Sequence, residues 1–245
     1  MPDPGSPGPV TPPTARAHAF VADLDRPELA AGDHHHLRRV LRLGVGDPVT
    51  VGDGRGRWRP GRLTDDVAVE PTGEVVADPA PDPPVTVAFA LVKGGRPELA
   101  VQKLTEVGVD RIVPFVAERS VVRWDRSKAE RQHARLADIA REAAMQCRRV
   151  WLPQVDALAT FPTVAALPGA ALADRRGAAP SLRHPTVLVG PEGGWAPSER
   201  NAGLPLVVLA THTLRSETAA ITAGAVLAAL RAGFVSHGTD PRHTE

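Results

Sequence analysis

Two loops between residues 186 and 222 carry residue types that can hold a small ligand and act on it. The apolar run Thr186–Val189 has the length and branching of a buried strand and ends in Gly190-Pro191-Glu192-Gly193-Gly194. Three glycines in five residues permit positive φ and let a ligand come close to the backbone. A second run, Leu206–Leu209, ends in Ala210–Leu214 and feeds a helix that opens near Arg215-Ser216-Glu217-Thr218. Ligands of α/β sheets bind outside the carboxyl ends of strands, so loops leaving two neighbouring strands can form one pocket. A glycine loop after a strand can cradle phosphate. Here neither G-x-x-x-x-G-K-[ST] nor a strand-borne G-x-G-x-x-G is present, and Glu192 would repel phosphate. The loop therefore suits an uncharged or cationic group. A structural turn is the bland alternative for such a loop in isolation.

The elements around these loops read as a parallel α/β sheet. Val85–Val92 is an apolar strand, Lys93-Gly94-Gly95 a loop, and Pro97 suits the first turn of a helix. In that helix Ala100, Leu104 and Val107 form an apolar stripe that Gly108 stops. Arg111–Val116 is the next strand, and strand, helix, strand with short loops argues parallel pairing. A second helix is predicted to open at Ser127, with Glu130 completing a capping box, and to run to about Cys147. Residues 153–185 are loop-rich, with a short strand at Ala170–Ala173 that Asp174-Arg175-Arg176-Gly177 ends. The helix from Ser216 to about Leu230 is nearly all small or aliphatic, which fits a buried helix.

The N-terminal part differs. Residues 1–14 are mostly Pro, Gly, Ser and Thr and read as a disordered tail. Residues 15–76 form a β-rich domain of short segments broken by Gly44, Gly46-Asp47-Pro48, Gly52-Asp53-Gly54 and Gly61. Asp33–Leu43 looks helical, with Leu37, Val40 and Leu41 on one face and Arg38, Arg39 and Arg42 largely on another. From His34 to Arg62 seven arginines stand against two acids, which fits an RNA-backbone footprint or an ordinary solvated face. Arg119, Arg123, Arg126, Arg148 and Arg149 can line a further basic edge. A proline-rich linker at 75–84 separates this part from a second domain at 85–235, and 236–245 is a tail.

Composition bounds the function. No apolar run reaches the ~18 residues of a membrane span, and the N-terminus has no basic-then-apolar signal peptide. One cysteine fits a reducing cytoplasm. Net charge is only +1, so a nucleic-acid site must be a local patch. Adjacent helical residues point about 100° apart, so His34, His35 and His36 cannot all face one metal ion, and no metal site is expected. No His or Asp partner is identifiable near Cys147, which reads as a buried, inert thiol rather than a nucleophile.

The Gly190–Gly194 loop, followed by LRSETA at 214–219, resembles the RsmE family of rRNA methyltransferases, of the knotted SPOUT class. HLRRVLRLGVGD at 36–47 and KGGRPELAVQKLTEVGVDRIVPF at 93–115 resemble the same family. The resemblance implies S-adenosylmethionine as cofactor and N3 of one uridine in 16S rRNA of the small ribosomal subunit as target. It further implies a C-terminal α/β domain with a deep trefoil knot, an N-terminal PUA-like barrel and a homodimer. Cofactor contacts are then expected at Val189, Gly190, Pro191, Glu192, Gly193, Gly194, Leu209, Ala210, Leu214, Ser216 and Thr218. RNA contacts are expected at Arg38, Arg39, Arg42, Arg119, Arg123 and Arg149. Methylation at uracil N3 needs its proton removed, the methyl donor in line and the base held out of its stack. Glu217 or a backbone-assisted water can take the proton, and Arg215 can stabilise the uracilate oxygens. Two departures stand out: Leu209-Ala210 replaces the family's usual Leu-Gly, and Met145-Gln146-Cys147-Arg148-Arg149 replaces a Glu-Gln-[Ser/Cys]-Gly-Arg string. The rival readings are a knotted methyltransferase with another RNA base as target, and a non-catalytic RNA-binding module.

Overall fold

The computed structural model describes residues 15–92, 96–120, 122 and 124–236. The expected tail at 1–14, nearly all of that at 236–245, the Lys93-Gly94-Gly95 loop and Arg123 lie outside the described residues. The chain divides into two compact units, one of residues up to Ala80 together with Ala144–Leu152, the other of Pro81–Ala143 and Pro153 onward.

In the first unit, β1 (Ala17–Phe20), β2 (Pro48–Gly52), β3 (Arg57–Leu63) and β4 (Val69–Pro71) form a sheet in that order, and β5 (Val76–Ala77) also pairs with β3. β1 runs parallel to β2; β3 is antiparallel to β2, β4 and β5. Ala19, Val49, Val51, Leu63 and Val69 close its core. The expected single helix over 33–43 is instead α1 (Ala31–His35) followed by a π-helical turn over His36–Val40. The Leu41 N–H donates to the His36 carbonyl at 3.0 Å, one residue further back than in an α-helix. That wider turn breaks the i, i+3, i+4 alignment. Leu37 is buried, but Val40 and Leu41 are 61% and 46% exposed, and Arg38 turns back to donate to the Leu43 carbonyl. Arg42 ends the turn in the left-handed region at φ 55°.

Residues 144–152, which the sequence reading keeps inside the C-terminal domain, pack with this first unit. Met145 joins its core, and the Leu152 N–H donates to the Gly54 carbonyl. Cys147 is exposed, not buried, because the helix carrying it ends there and Arg148 turns left-handed at φ 59°.

The second unit begins with β6 (Thr86–Ala90), α2 (Pro97–Glu106), β7 (Arg111–Val116) and α3 (Arg126–Gln146), the last of which leaves this unit at Ala143. β8 (Gln154–Val155), β9 (Ala159–Thr160), α4 (Phe161–Ala165), β10 (Ala170–Ala178), β11 (Thr186–Val189), α5 (Pro197–Arg200), β12 (Leu206–Val207) and α6 (Ser216–Arg231) complete it. Among the described residues the sheet has the order β12-β10-β11-β6-β7-β8, with β9 also on β7, and every pairing is parallel. Side chains alternate between two cores as strand pleating demands. Val87, Phe89, Val187 and Val189 face the core shared with Leu104 and Leu227, while Ala88, Ala90 and Leu188 face Val164 and Trp195. The α3 cap is Asp125, two residues before the expected Ser127: its carboxylate accepts from the Lys128 N–H and the Ser127 hydroxyl, and Glu130 instead pairs with Arg126.

α6 lies against α2, β6 and β11. A Cβ at Gly224 would come within 2.7 Å of Leu104 Cδ2 and Val109 Cγ2, so the small residues bring this helix onto its own core. No helix of the described residues is long and apolar enough to cross a membrane.

Candidate functional site

β10, β11 and β12 are adjacent, and their carboxyl ends open into one cavity of about 570 Å³. This is the size range of small-molecule sites. Only Leu206 and Val207 of the second apolar run make strand pairs; Val208, Leu209 and Ala210 already line the cavity. Of the expected cofactor contacts, Val189, Gly190, Pro191, Glu192, Gly194, Leu209, Ala210, Leu214 and Ser216 line it, and so does Arg215. Gly193 and Thr218 are exposed and do not. Gly193 instead offers its carbonyl to Arg119 Nη1 at 3.0 Å. Glu217 lines a separate narrow cleft with Phe89, Leu91, Arg96 and Pro97, and Ser216 borders both spaces.

The first loop is a tight turn. The Gly194 N–H donates to the Pro191 carbonyl at 2.8 Å, and Gly194 sits at φ 70°, where a side chain would be strained. Glu199, buried at the start of α5, accepts from the Ala196 N–H through one carboxylate oxygen and from the Glu118 N–H through the other. That fixes the far end of the loop. Arg215 is the N-cap of α6 and makes no side-chain cap, so the helix start at the cavity keeps backbone N–H donors for a ligand.

The sequence reading missed the third wall. β10 does not end at Ala173. It continues to Ala178 with an excursion at 174–177, because Ala173 and Ala178 both pair with Val207. Asp174, Arg175 and Arg176 of that excursion line the cavity, as do Trp195, Arg200, His212 and Thr213. The Asp174 side chain is 8% exposed and pairs with Arg176 at 3.2 Å and Arg200 at 3.3 Å. Burial alone would raise its pKa. The Arg176 N–H and guanidinium, with Arg200, outweigh burial and hold the carboxyl below its ordinary value. The only signal available in the sequence was that a strand ends near Ala173. Which strand it neighbours was not.

The predicted RNA contacts fall in both units. Arg38, Arg39, Arg42 and Arg149 belong to the first, Arg119 to the second. Among the described residues no three His, Cys, Asp or Glu side chains gather as metal ligands.

Fold and site together define an RNA methyltransferase of the SPOUT class: residues 79–228 match the RNA methyltransferase domain family, and residues 30–66 the RNA methyltransferase PUA domain family. A relative from Mycobacterium bovis, ribosomal RNA small subunit methyltransferase E, is 33% identical over 219 residues, covering 78% of this chain and 82% of its own. The protein of that name from Synechocystis is 35% identical over 229 residues, covering 82% and 72%. The crystal structure of the Neisseria gonorrhoeae protein of that name, bound to S-adenosyl methionine, superposes with a TM-score of 0.71 at 26% identity over 87% of this chain and 97% of that one. The chain belongs to this ribosomal RNA small subunit methyltransferase E, or RsmE, family.

Proposed function

We propose that this chain transfers the methyl group of S-adenosylmethionine to N3 of one uridine in 16S rRNA of the small ribosomal subunit, working as a cytoplasmic homodimer. The observation that carries the reading is the single cavity into which the Gly190–Gly194 loop and the Ala210–Arg215 segment both open. Its lining fits the cofactor. Val189, Leu209, Leu214 and Ala219 offer an apolar surface for an adenine, and Gly190 leaves the backbone bare beside the Trp195 ring. Glu192 supplies negative charge for a sulfonium, whereas Asp174 is already paired with Arg176 and Arg200.

When bound, the cofactor supplies an electrophilic methyl group. Arg215, at the cavity, stabilises the charge that grows on the uracil oxygens as N3 loses its proton. Glu217 is the carboxylate of the same helix turn, one residue beyond Ser216, and serves as proton acceptor directly or through a backbone-held water. Arg38, Arg39, Arg42 and Arg149, with Arg119 and Arg123, contact the RNA backbone. Arg119 also steadies the first loop through the Gly193 carbonyl.

The test is methylation of small subunits and of naked 16S rRNA, read by nucleoside mass spectrometry, beside calorimetry with S-adenosylmethionine. Formation of 3-methyluridine is expected, with a loss on the order of 100-fold in Arg215→Ala. Cofactor binding with a different methylated base would replace the uridine reading. No cofactor binding would favour the non-catalytic module.

A further inference from the structure

Among the described residues Trp195 is the one large aromatic side chain on the cavity wall, and its surroundings hold it in a single pose. It is 4% exposed. Its ring lies nearly parallel to Phe115, with centroids 6.2 Å apart and planes 11° from each other, and edge-on to Phe161 at 5.8 Å. One face of the indole presses on the first loop: a Cβ at Gly190 would come within 2.9–3.1 Å of Trp195 ring atoms. Its Nε1–H donates to the Ala173 carbonyl at 3.0 Å. Ala173 is the last residue of β10 before the excursion that supplies Asp174, Arg175 and Arg176 to the cavity. At the far side of that excursion Gly177 lies on the backbone of β12, where a Cβ would come within 2.4 Å of the Val207 nitrogen.

We propose that Trp195 is a positioning residue for the cofactor: its indole N–H fixes the point where β10 leaves the sheet, and its ring fixes Gly190, so that one side chain sets the spacing between two walls of the cavity. The chemistry requires an indole. A phenylalanine can keep the stacking on Phe115 and the contact with Gly190, but it has no donor for the Ala173 carbonyl. That half-buried carbonyl is then left without this partner, or turns away and takes the Asp174 wall with it. The wall carrying Asp174, Arg176 and Arg200 is thereby coupled to the loop carrying Glu192. This inference rests on the reading that the cavity binds S-adenosylmethionine.

The experiment compares wild type with Trp195→Phe by calorimetry with S-adenosylmethionine, at a temperature where circular dichroism shows both folded. The variant is expected to bind about three- to tenfold more weakly, the size of one lost hydrogen bond. Its affinity for naked 16S rRNA without cofactor is expected to match wild type. Equal cofactor affinity in the two proteins would overturn the proposal while leaving the cofactor reading intact; no binding to wild type would instead remove that reading. A second measurement does not depend on the variant folding. In protein labelled at the indole nitrogens, Trp58→Phe, Trp124→Phe and Trp151→Phe assign the Trp195 signal by elimination. That signal is expected to shift on saturation with S-adenosylmethionine, and an unmoved signal would also overturn the proposal.

Discussion

His18 shows how a single buried residue ties stability to pH. It is 2% exposed, and its Nδ1 lies 2.9 Å from the Thr50 hydroxyl. With that hydroxyl donating to the Ala17 carbonyl, the ring donates through Nδ1 and leaves Nε2 a buried acceptor without a partner. A proton added at Nε2 would be buried and unpaired. Burial first, then the Arg148 charge, lowers the pKa from 6.5 to about 4. The sign follows: as pH falls below 6.5 the unfolded chain takes up a proton that the folded chain refuses until about 4. Stability is therefore full above that window and falls across it, by about 3 kcal/mol in all. Denaturant melts at pH 7 and pH 4.5 should show a smaller acid loss in His18→Gln than in wild type. Equal acid losses would remove His18 as the cause. At the cavity, Asp174 acts with the same sign at lower pH, its contribution lost as pH falls through its depressed value.

At the scale of elements, α6 decides how the small residues of the C-terminal sequence are to be understood. Ala220, Ala223, Gly224 and Leu227 are buried within their own unit, against Leu104 and Val109 among others. Gly224→Ala sets two effects against each other. Alanine gains about 1 kcal/mol in helix propensity. Overpacking against Leu104 and Val109, both fully buried, costs about 1–3 kcal/mol. A net loss of about 1 kcal/mol is expected in urea denaturation. A stabilised variant would show that α6 has room to spare on α2. The π-turn at His36–Val40 is the other telling element. It leaves Val40 and Leu41 exposed next in the chain to the exposed Arg39 and Arg42, a surface that helical periodicity alone hides.

For the whole molecule, the proposed division of labour puts most of the RNA contacts, at Arg38, Arg39, Arg42 and Arg149, in the first unit and the cofactor cavity in the second. The proposed homodimer would let one subunit present RNA to the other's cavity, and two-fold dimers are the commonest oligomers. Arg38→Ala/Arg42→Ala is expected to weaken RNA binding and flatten its salt dependence by a slope of up to about 2, with cofactor affinity unchanged. Arg215→Ala should impair methylation in the other unit. Co-expressed with distinct tags and purified as heterodimers, the two deficient chains should recover part of the wild-type rate, since one site then has both halves intact. Heterodimers no more active than either parent would mean that each subunit works in cis. A mass of about 26 kDa by light scattering at micromolar concentration would rule out the dimer.

What the sequence determined on its own were local matters. Strand Arg111–Val116, the Pro97 start and Gly108 stop of α2, and the opening of α6 at Ser216 follow from short-range sterics and periodicity, and the structure has them. The first loop was legible from its three glycines after a strand, and the second, which has none, from the LRSETA string that follows it in order. Tertiary structure decided which strands are neighbours. Placing β10 between β11 and β12 brought Asp174, Arg175 and Arg176 to the cavity, and packing on the opposite face of the sheet brought Trp195. It also turned Glu217 into a second cleft, because residues two apart on a helix do not share a face. The return of residues 144–152 to the first unit was equally invisible in the sequence, since no local preference encodes a contact between residues as distant in the chain as Gly54 and Leu152.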